Sequence, residues 1–421
     1  MLKTKDLINF IENSPSCFHA VANAKDELLK ANYIELKENE RWSIAPGHGY
    51  FVSRHDSSII AFYVPESPLP GYRLIASHTD SPSFKIKKNP TLTAEGHYVK
   101  LNTEGYGGMI AYTWFDRPLG VAGRILYKTS SGIQSKLVNL EDTTLIIPSL
   151  CIHMNRTVND GIKIDMQKDM LPLYSCGITE CDFEDAIAKA VDMDKDSILG
   201  YDLFLFNKDF CSVWGPDNEF ISAPRLDNLE CMYASLSAFI DSSDSSHISV
   251  FVAFDNEEVG SGSSQGAAST FLLDVLSRMN SSLGGDLEDY NINIAESLMI
   301  SADNAHAVHP NNGDKSDPTN RPLVNKGIVV KYAANQKYCT DAVSAAAFID
   351  LCNRADVSYQ EFFNKSGQPG GSTLGNISSS QVSLSAVDVG LPQLAMHSAY
   401  ETAGVKDFEE ALKVFTEFYS E

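Results

Sequence analysis

The sequence predicts an α/β protein with a mixed central sheet flanked by helices and a β-rich domain inserted into the chain. Short apolar runs rich in β-branched and aromatic residues are typical of buried strands, and they alternate with stretches of helical periodicity. Between residues 90 and 213 the pattern changes to short alternating runs separated by aromatic and glycine-rich loops, which favours a β-rich domain. A chain of 421 residues is long enough for two domains.

The predicted elements divide the chain into three parts. Residues 1–89 and 214–421 form a discontinuous α/β domain, and residues 90–213 form the inserted domain, for which we expect a role in dimerisation. In the first part, helical spacing predicts one helix that ends at Ser14-Pro15-Ser16 and a second that begins there. A predicted hairpin and a buried strand follow. The last part carries four more apolar runs and a closing helix, with the runs at residues 249–254, 296–302, 327–332 and 391–396.

Composition excludes several classes of partner. The net charge of −22 argues against binding to nucleic acid or to an anionic membrane. The eight cysteines are scattered without a C-x-x-C pair, which favours reduced thiols. No apolar run reaches the length of a membrane span, and the first residues lack the apolar core of a signal peptide. We therefore expect a cytoplasmic protein without nucleic-acid or membrane partners.

The segment 249–261 carries the first chemical signal, because an apolar run there ends in the adjacent acids Glu257 and Glu258. Ligands of open α/β sheets bind beyond the carboxyl ends of the strands. Two neighbouring glutamates repel each other at such a position. A metal ion for one and proton transfer for the other would account for both. The simpler alternative is a polar loop with solvated acids.

Four other segments place a histidine or an acid next to a predicted strand or helix. His78 and Asp80 follow an apolar strand in a His-x-Asp pattern, in which the carboxylate can orient a metal-binding imidazole. Asp227 lies at the start of a predicted helix, where a cap is the alternative role. Asp303 and His397 each come at the end of an apolar run.

Two imidazoles and four carboxylates at one sheet edge can hold two divalent ions, with one carboxylate bridging them. The remaining acid can serve as general base on a water molecule that the metals activate. The mixed nitrogen and oxygen donors suit zinc, and also manganese or cobalt. This chemistry is hydrolytic, and the candidates are His78, Asp227, Glu257, Glu258, Asp303 and His397.

Five separated segments resemble, in order and spacing, those of the aspartyl aminopeptidase family. They are residues 76–82, 224–228, 255–261, 301–310 and 393–398. The likeness spans nearly the whole chain, although Cys17 stands where the family usually has proline. The family belongs to the two-metal, co-catalytic aminopeptidases. The resemblance therefore implies an enzyme that hydrolyses the N-terminal residue, Asp or Glu, from peptides with a free N-terminus.

The resemblance also implies which residues hold the metals. Asp227 would bridge the two ions. His78 and Asp303 would bind one ion. Glu258 and His397 would bind the other, and no ligand position departs from the family pattern.

The resemblance further implies roles for residues around the metals. Glu257 would be the general base, and Asp80 would orient His78. Lys331 matches a family lysine near the pocket for the acidic side chain of the substrate. His153, on its own an ordinary surface histidine, matches a family histidine that reaches the active site of a neighbouring subunit. The family forms tetrahedral dodecamers built from dimers, which implies the same assembly here.

Three alternatives remain open from the sequence. The first is an aminopeptidase of the same fold with neutral or broad specificity, and Lys331 is the one residue that the sequence offers for deciding between it and an enzyme with acidic specificity. A non-catalytic protein that keeps the fold would be favoured by a missing ligand or base, and all six positions are intact. A deacetylase or carboxypeptidase on a related two-metal fold would not require the free amine of the substrate.

Overall fold

The computed structural model describes residues 2–177, 182–242, 245–368 and 370–421. Within these residues the chain divides into two compact units. The first comprises residues 1–80, 211–396 and 401–421, and the second residues 81–210 and 397–400. The seven cysteines in the described part are thiols, and Cys181 lies outside it. No helix in the described ranges is both long and apolar enough to cross a membrane.

The described residues form ten α-helices and twenty β-strands. The α-helices are α1 (Leu2–Glu12), α2 (Cys17–Lys30), α3 (Met166–Asp169), α4 (Phe183–Ala190), α5 (Leu226–Asp241), α6 (Phe271–Ser282), α7 (Leu287–Ala295), α8 (Ala342–Arg354), α9 (Leu374–Ser378) and α10 (Val405–Tyr419). The first ten strands are β1 (Ile34–Glu35), β2 (His48–Arg54), β3 (Ser58–Val64), β4 (Leu69–His78), β5 (Ser83–Ala94), β6 (Tyr98–Tyr106), β7 (Leu119–Thr129), β8 (Gly132–Asn139), β9 (Leu173–Cys176) and β10 (Ile198–Asn207). The others are β11 (Ser212–Trp214), β12 (Phe220–Ala223), β13 (His247–Phe254), β14 (Leu298–Ala302), β15 (Ala305–His306), β16 (Ile328–Tyr332), β17 (Tyr359–Phe363), β18 (Ser385–Gly390), β19 (Pro392–Leu394) and β20 (Glu401–Gly404).

The first unit is built on a nine-stranded sheet in the order β1-β2-β3-β13-β4-β14-β18-β16-β17. Strand β13 pairs antiparallel with β3 and parallel with β4, so the sheet is mixed, as predicted. Side chains alternate between its faces. Phe251 belongs to the core on one face, together with residues of helices α1, α2, α5, α8 and α10, whereas Val250 and Val252 belong to the core that includes α6 on the other face. A five-stranded sheet of the same unit has the order β11-β12-β20-β19-β15.

The second unit contains a six-stranded sheet in the order β8-β7-β10-β5-β6-β9. All of its pairings are antiparallel, which suits the alternating runs in this part of the sequence. Its core includes Phe84, Trp114 and Leu203, with Phe183 from α4.

The division of the structure differs from the predicted boundaries. We predicted that the inserted domain starts at residue 90, whereas the second unit starts at residue 81. The reason is β5, which lies on both sides of the predicted boundary and pairs with β6 and β10 of the second unit. At the other end the boundary lies after residue 210 rather than 213, and residues 397–400 also join the second unit.

Candidate active site

Three neighbouring strands of the nine-stranded sheet bring the candidate residues of the first unit to one edge. Strand β4 lies between β13 and β14 and is parallel to both. Phe254, the last residue of β13, is opposite His78, the last residue of β4. Asp303 directly follows β14, so the carboxyl ends of all three strands carry polar side chains at the same edge.

His78 lies at the centre of this edge and is almost fully buried. Its Nε2 atom is 3.5 Å from Asp227 Oδ1 and 3.7 Å from Asp303 Oδ1. Its Nδ1 atom is 3.1 Å from the carbonyl oxygen of Asp80, and a carbonyl can only accept a hydrogen bond. Nδ1 therefore carries the proton in the neutral imidazole, which leaves Nε2, on the side of the two carboxylates, as the nitrogen that would bind a metal ion. In the protonated ring Nε2 also carries a proton and donates it to these carboxylates.

Glu257 and Glu258 lie in a short 3-10 turn that follows β13. Asn256 precedes the turn with a φ of 62°, a left-handed conformation that asparagine adopts more readily than most residues. The carboxylate of Asp80 binds the turn through both oxygens. Oδ1 accepts the N–H of Glu257 at 3.1 Å, and Oδ2 accepts the N–H of Glu258 at 3.2 Å. The sequence predicted that Asp80 orients His78, but did not indicate that it also fixes the two glutamates.

Burial and the crowding of carboxylates shift the pKa values at this edge. Burial raises the pKa of Glu257 to about 8, while His78 opposes the shift and three nearby carboxylates add to it. Burial alone would lower the pKa of His78. Its hydrogen bonds with Asp227, Asp303 and Asp80 overcome that effect and raise the pKa well above the ordinary value.

Lys331, on β16, is 2% exposed and lies next to Asp303. Its Nζ donates to the backbone carbonyl of Asp303 at 2.7 Å and is 3.6 Å from Asp303 Oδ2. It also lies 5.3 Å from the centre of the Tyr338 ring. Because burial would lower the pKa of Lys331, the raised pKa reflects mainly the charge of Asp303. Sequence patterns did not reveal the contact with Tyr338, since no periodicity links the two positions.

His153 and His397 belong to the second unit. His397 has a φ of 66°, and its Nδ1 donates to the carbonyl oxygen of Gly108 at 2.7 Å. This hydrogen bond leaves Nε2 of His397 as the acceptor, the same tautomer as in His78. His153 lies in an exposed turn next to Ile152 and Met154, which are 48% and 75% exposed.

The donor set at the sheet edge fits a divalent metal. Two groups in the first unit have ligand atoms within 4.8 Å of one another, His78 with Asp227 and Asp303, and His78 with Glu257 and Glu258. Carboxylates this close and this buried repel one another unless a cation lies among them. Imidazole nitrogen with carboxylate oxygen is a ligand set that suits zinc. An α/β sheet with such a cluster at its carboxyl edge is typical of a metal-dependent hydrolase.

Comparison with known proteins narrows this class. The family model described as aminopeptidase I zinc metalloprotease (M18) matches residues 10–419. A probable M18 family aminopeptidase 2 of Clostridium novyi is 48% identical over 99% of this chain and 98% of its own length. The chain therefore belongs to the M18 family of zinc metalloproteases, and it is a metallo-aminopeptidase. The family resemblance predicted from the five segments is confirmed.

Solved structures agree with this assignment. A chain in the cryo-EM structure of the Ape4 and Nbr1 complex is 34% identical, with a TM-score of 0.93 over 99% of this chain and 85% of that chain. The mApe1 dodecamer of S. cerevisiae is 28% identical, with a TM-score of 0.85 over 99% of this chain and 95% of that chain. The predicted α/β fold class is confirmed by these structures.

Proposed function

We propose that this enzyme is a two-metal aminopeptidase that removes an N-terminal Asp or Glu from peptides. The observation that carries the proposal is the group of buried His78 and Asp227 with the partly buried Asp303, and with Glu257 and Glu258 beside it. It combines a ligand set for divalent ions with one carboxylate more than the ligands require. That surplus acid is what hydrolysis needs as a base.

In the proposed arrangement Asp227 would be shared by two ions. His78 and Asp303 would hold one of them, since Nε2 of His78 faces both carboxylates. Glu258 and His397 would hold the other. The assignment of His397 rests on the family resemblance and on the hydrogen bond from its Nδ1 to Gly108, which makes Nε2 the acceptor nitrogen of the ring. Zinc is the proposed metal, with manganese or cobalt as possible substitutes.

Bound metals would polarise the peptide carbonyl and acidify the attacking water. Glu257 takes the proton from that water and passes it to the leaving amine. Burial raises the pKa of Glu257 above its ordinary value, which suits a group that must both accept and return a proton. Asp80 keeps the base in place by accepting the N–H groups of Glu257 and Glu258.

For the acidic side chain of the substrate we propose Lys331 as the positive partner. Its ammonium carries three N–H groups and donates to the backbone carbonyls of Asp303 and Asn304, at 2.7 and 3.5 Å. A cation is required there because the site already contains several carboxylates and the net charge of −22 does not attract an acid.

The same contact supports a second candidate, an aminopeptidase with neutral or broad preference. Lys331 is already hydrogen-bonded and almost fully buried. If Lys331 only holds the segment of Asp303 in place, it does not bind the acidic side chain of a substrate, and a preference for Asp or Glu is not expected.

We further propose a dodecamer built from dimers, with the second unit at the dimer contacts and His153 reaching the active site of a neighbouring subunit. A solved relative with 28% identity is a dodecamer. The exposed apolar residues around His153 supply surface that an interface would bury.

A substrate panel tests the proposed function. We expect higher catalytic efficiency on Asp- and Glu-substrates than on Leu-, Lys- and Ala-substrates. A chelator should abolish the activity, and zinc, manganese or cobalt should restore it. N-acetylated peptides should resist cleavage, because an aminopeptidase requires the free amine. Cleavage of acetylated peptides from the carboxyl end would refute the aminopeptidase. A preference for Leu or Lys would establish the second candidate instead.

A further inference from the structure

A chain of buried polar side chains lies directly behind the proposed metal ligands of the first unit. Glu401 on β20, Gln393 on β19 and Asn304 after Asp303 are each at most 4% exposed. Glu401 Oε2 accepts the backbone N–H of Asp227 at 3.0 Å. Glu401 Oε1 accepts Nε2 of Gln393 at 3.2 Å. Gln393 Oε1 in turn accepts Nδ2 of Asn304 at 2.6 Å.

Glu401 sets the direction of the hydrogen bond between its own carboxylate and Gln393. A carboxylate only accepts, so the amide of Gln393 must turn its NH₂ group toward Glu401. Its oxygen then faces Asn304, which must present its own NH₂ group. The oxygen of Asn304 is left to accept the thiol of Cys231 at 3.1 Å. Nδ2 of Asn304 also lies 3.3 Å from Glu230 Oε2, so Glu401 orients the amide of Gln393 while several acceptors orient the amide of Asn304.

These hydrogen bonds connect two different segments that carry proposed metal ligands. One end is the N–H of Asp227, and the other is Asn304, the residue next to Asp303. Asn304 also donates to the carbonyl of Leu226, the residue before Asp227, at 3.1 Å. Asp227 and Asp303 are far apart in sequence, so these hydrogen bonds fix the spacing between their carboxylates.

We infer that Glu401, Gln393 and Asn304 are positioning residues that hold Asp227 and Asp303 at the separation required to bind metal. The inference rests on the proposed metal-binding role of these two aspartates. Groups behind metal ligands commonly change metal affinity by roughly 10–100-fold when they are replaced.

Because each of these hydrogen bonds has a fixed donor and a fixed acceptor, a double variant can restore what each single variant disrupts. In Glu401→Gln the new amide has one acceptor for two donors, so either the N–H of Asp227 or the NH₂ of Gln393 faces another donor. In Gln393→Glu two buried carboxylates face each other. In the double variant the amide at position 401 accepts from Asp227 and donates to the carboxylate at position 393, which still accepts from Asn304. The three hydrogen bonds described above are restored, and the net charge is unchanged.

The measurement is zinc affinity by competition with a chelator, without peptide. We expect each single variant to bind zinc roughly 10–100-fold more weakly and the double variant to recover most of the loss. Glu410→Gln is the matched control, since Glu410 is also a buried glutamate but pairs with Lys406 on α10. It should bind zinc as the wild type does. Hydrogen exchange of the segment containing Asp227, in metal-free protein, should accelerate in Glu401→Gln and slow again in the double variant.

Unchanged zinc affinity in Glu401→Gln, or a double variant as weak as the weaker single variant, would overturn the inference. These outcomes are independent of the proposed peptide specificity. If the wild type binds zinc and cleaves no N-terminal residue, the proposed function fails while the positioning role is still measured.

Discussion

Glu257 and its neighbours show how much the immediate surroundings of a side chain decide its chemistry. Glu257 is adjacent to Glu258 in sequence, yet only Glu257 is proposed as the base. Its pKa is raised to about 8, chiefly by burial. Its backbone N–H donates to Asp80, which fixes the main chain that carries the side chain.

The base assignment predicts the effect of Glu257→Gln. Glutamine keeps the size of the side chain, and the backbone N–H at this position still donates to Asp80. The amide of the side chain does not accept a proton. We expect turnover to fall roughly 100-fold or more. Zinc content should stay near that of the wild type, because Glu257 is not among the proposed ligands. Nearly wild-type turnover in this variant would show that another group is the base.

Lys331→Met separates the two specificities considered for this enzyme. The methionine keeps an apolar stem of similar length and removes the charge. If Lys331 binds the acidic side chain, kcat/KM on Asp- and Glu-substrates should fall by a factor that corresponds to about 1.5–3 kcal/mol, the scale of a hydrogen bond to a charged group. Cleavage of a Leu-substrate should change little.

Zinc content is the control for Lys331→Met, because the ammonium also binds the carbonyl of Asp303. Equal losses on Asp- and Leu-substrates, together with a loss of zinc, would mean that Lys331 positions Asp303 and does not select the substrate.

At the scale of elements, the buried acid Asp407 ties α10 to the segment before β16. It lies in the first turn of α10 and accepts the N–H groups of Asn325 and Gly327, the latter at 2.8 Å. Burial raises its pKa from 3.8 to about 7. The folded chain therefore holds this proton more tightly than the unfolded chain does.

The stability from this proton is present in full below the unfolded pKa and is lost as pH rises through the folded pKa of about 7. Asp407→Asn removes the titration. Between pH 3.8 and 7, the free energy of unfolding of the wild type should fall relative to the variant by up to about 1.4 kcal/mol per pH unit. Urea unfolding at several pH values and one protein concentration measures the difference. A difference that does not change with pH would contradict the raised pKa.

At the scale of the whole molecule, the net charge and the exposed apolar residues have opposite effects on association between copies of the protein. The net charge of −22 disfavours non-specific association, whereas the second unit exposes Leu150, Ile152 and Met154 close together in sequence. Apolar residues clustered in one segment are typical of a specific interface.

We therefore predict a large homo-oligomer in light scattering. His153→Ala should lower turnover while leaving zinc content and oligomer size unchanged, because His153 is proposed to act on the active site of a neighbouring subunit. A monomer at micromolar concentration would contradict the assembly. Full activity of His153→Ala within an intact oligomer would remove His153 from the site.

Local pattern was sufficient to predict the sheet edge that carries the site. The runs that become β4, β13 and β14 are apolar because both faces of these strands are buried, and the residues where apolarity stops are the candidate ligands. Parallel neighbours share their carboxyl edge, so strand type alone brought His78, Glu257, Glu258 and Asp303 together.

What the sequence by itself determined was therefore the strands, the acids and histidines at their ends, and the family. Only the tertiary structure decided which buried groups those side chains contact. The hydrogen bonds of Glu401 to Asp227 and of Lys331 to Asp303 join residues that are distant in sequence. Periodicity reports which face a residue occupies, whereas the partner on that face depends on how separate elements pack. The boundary after residue 80 was decided in the same way, because the pairing of β5 with β10 lies outside the reach of local pattern.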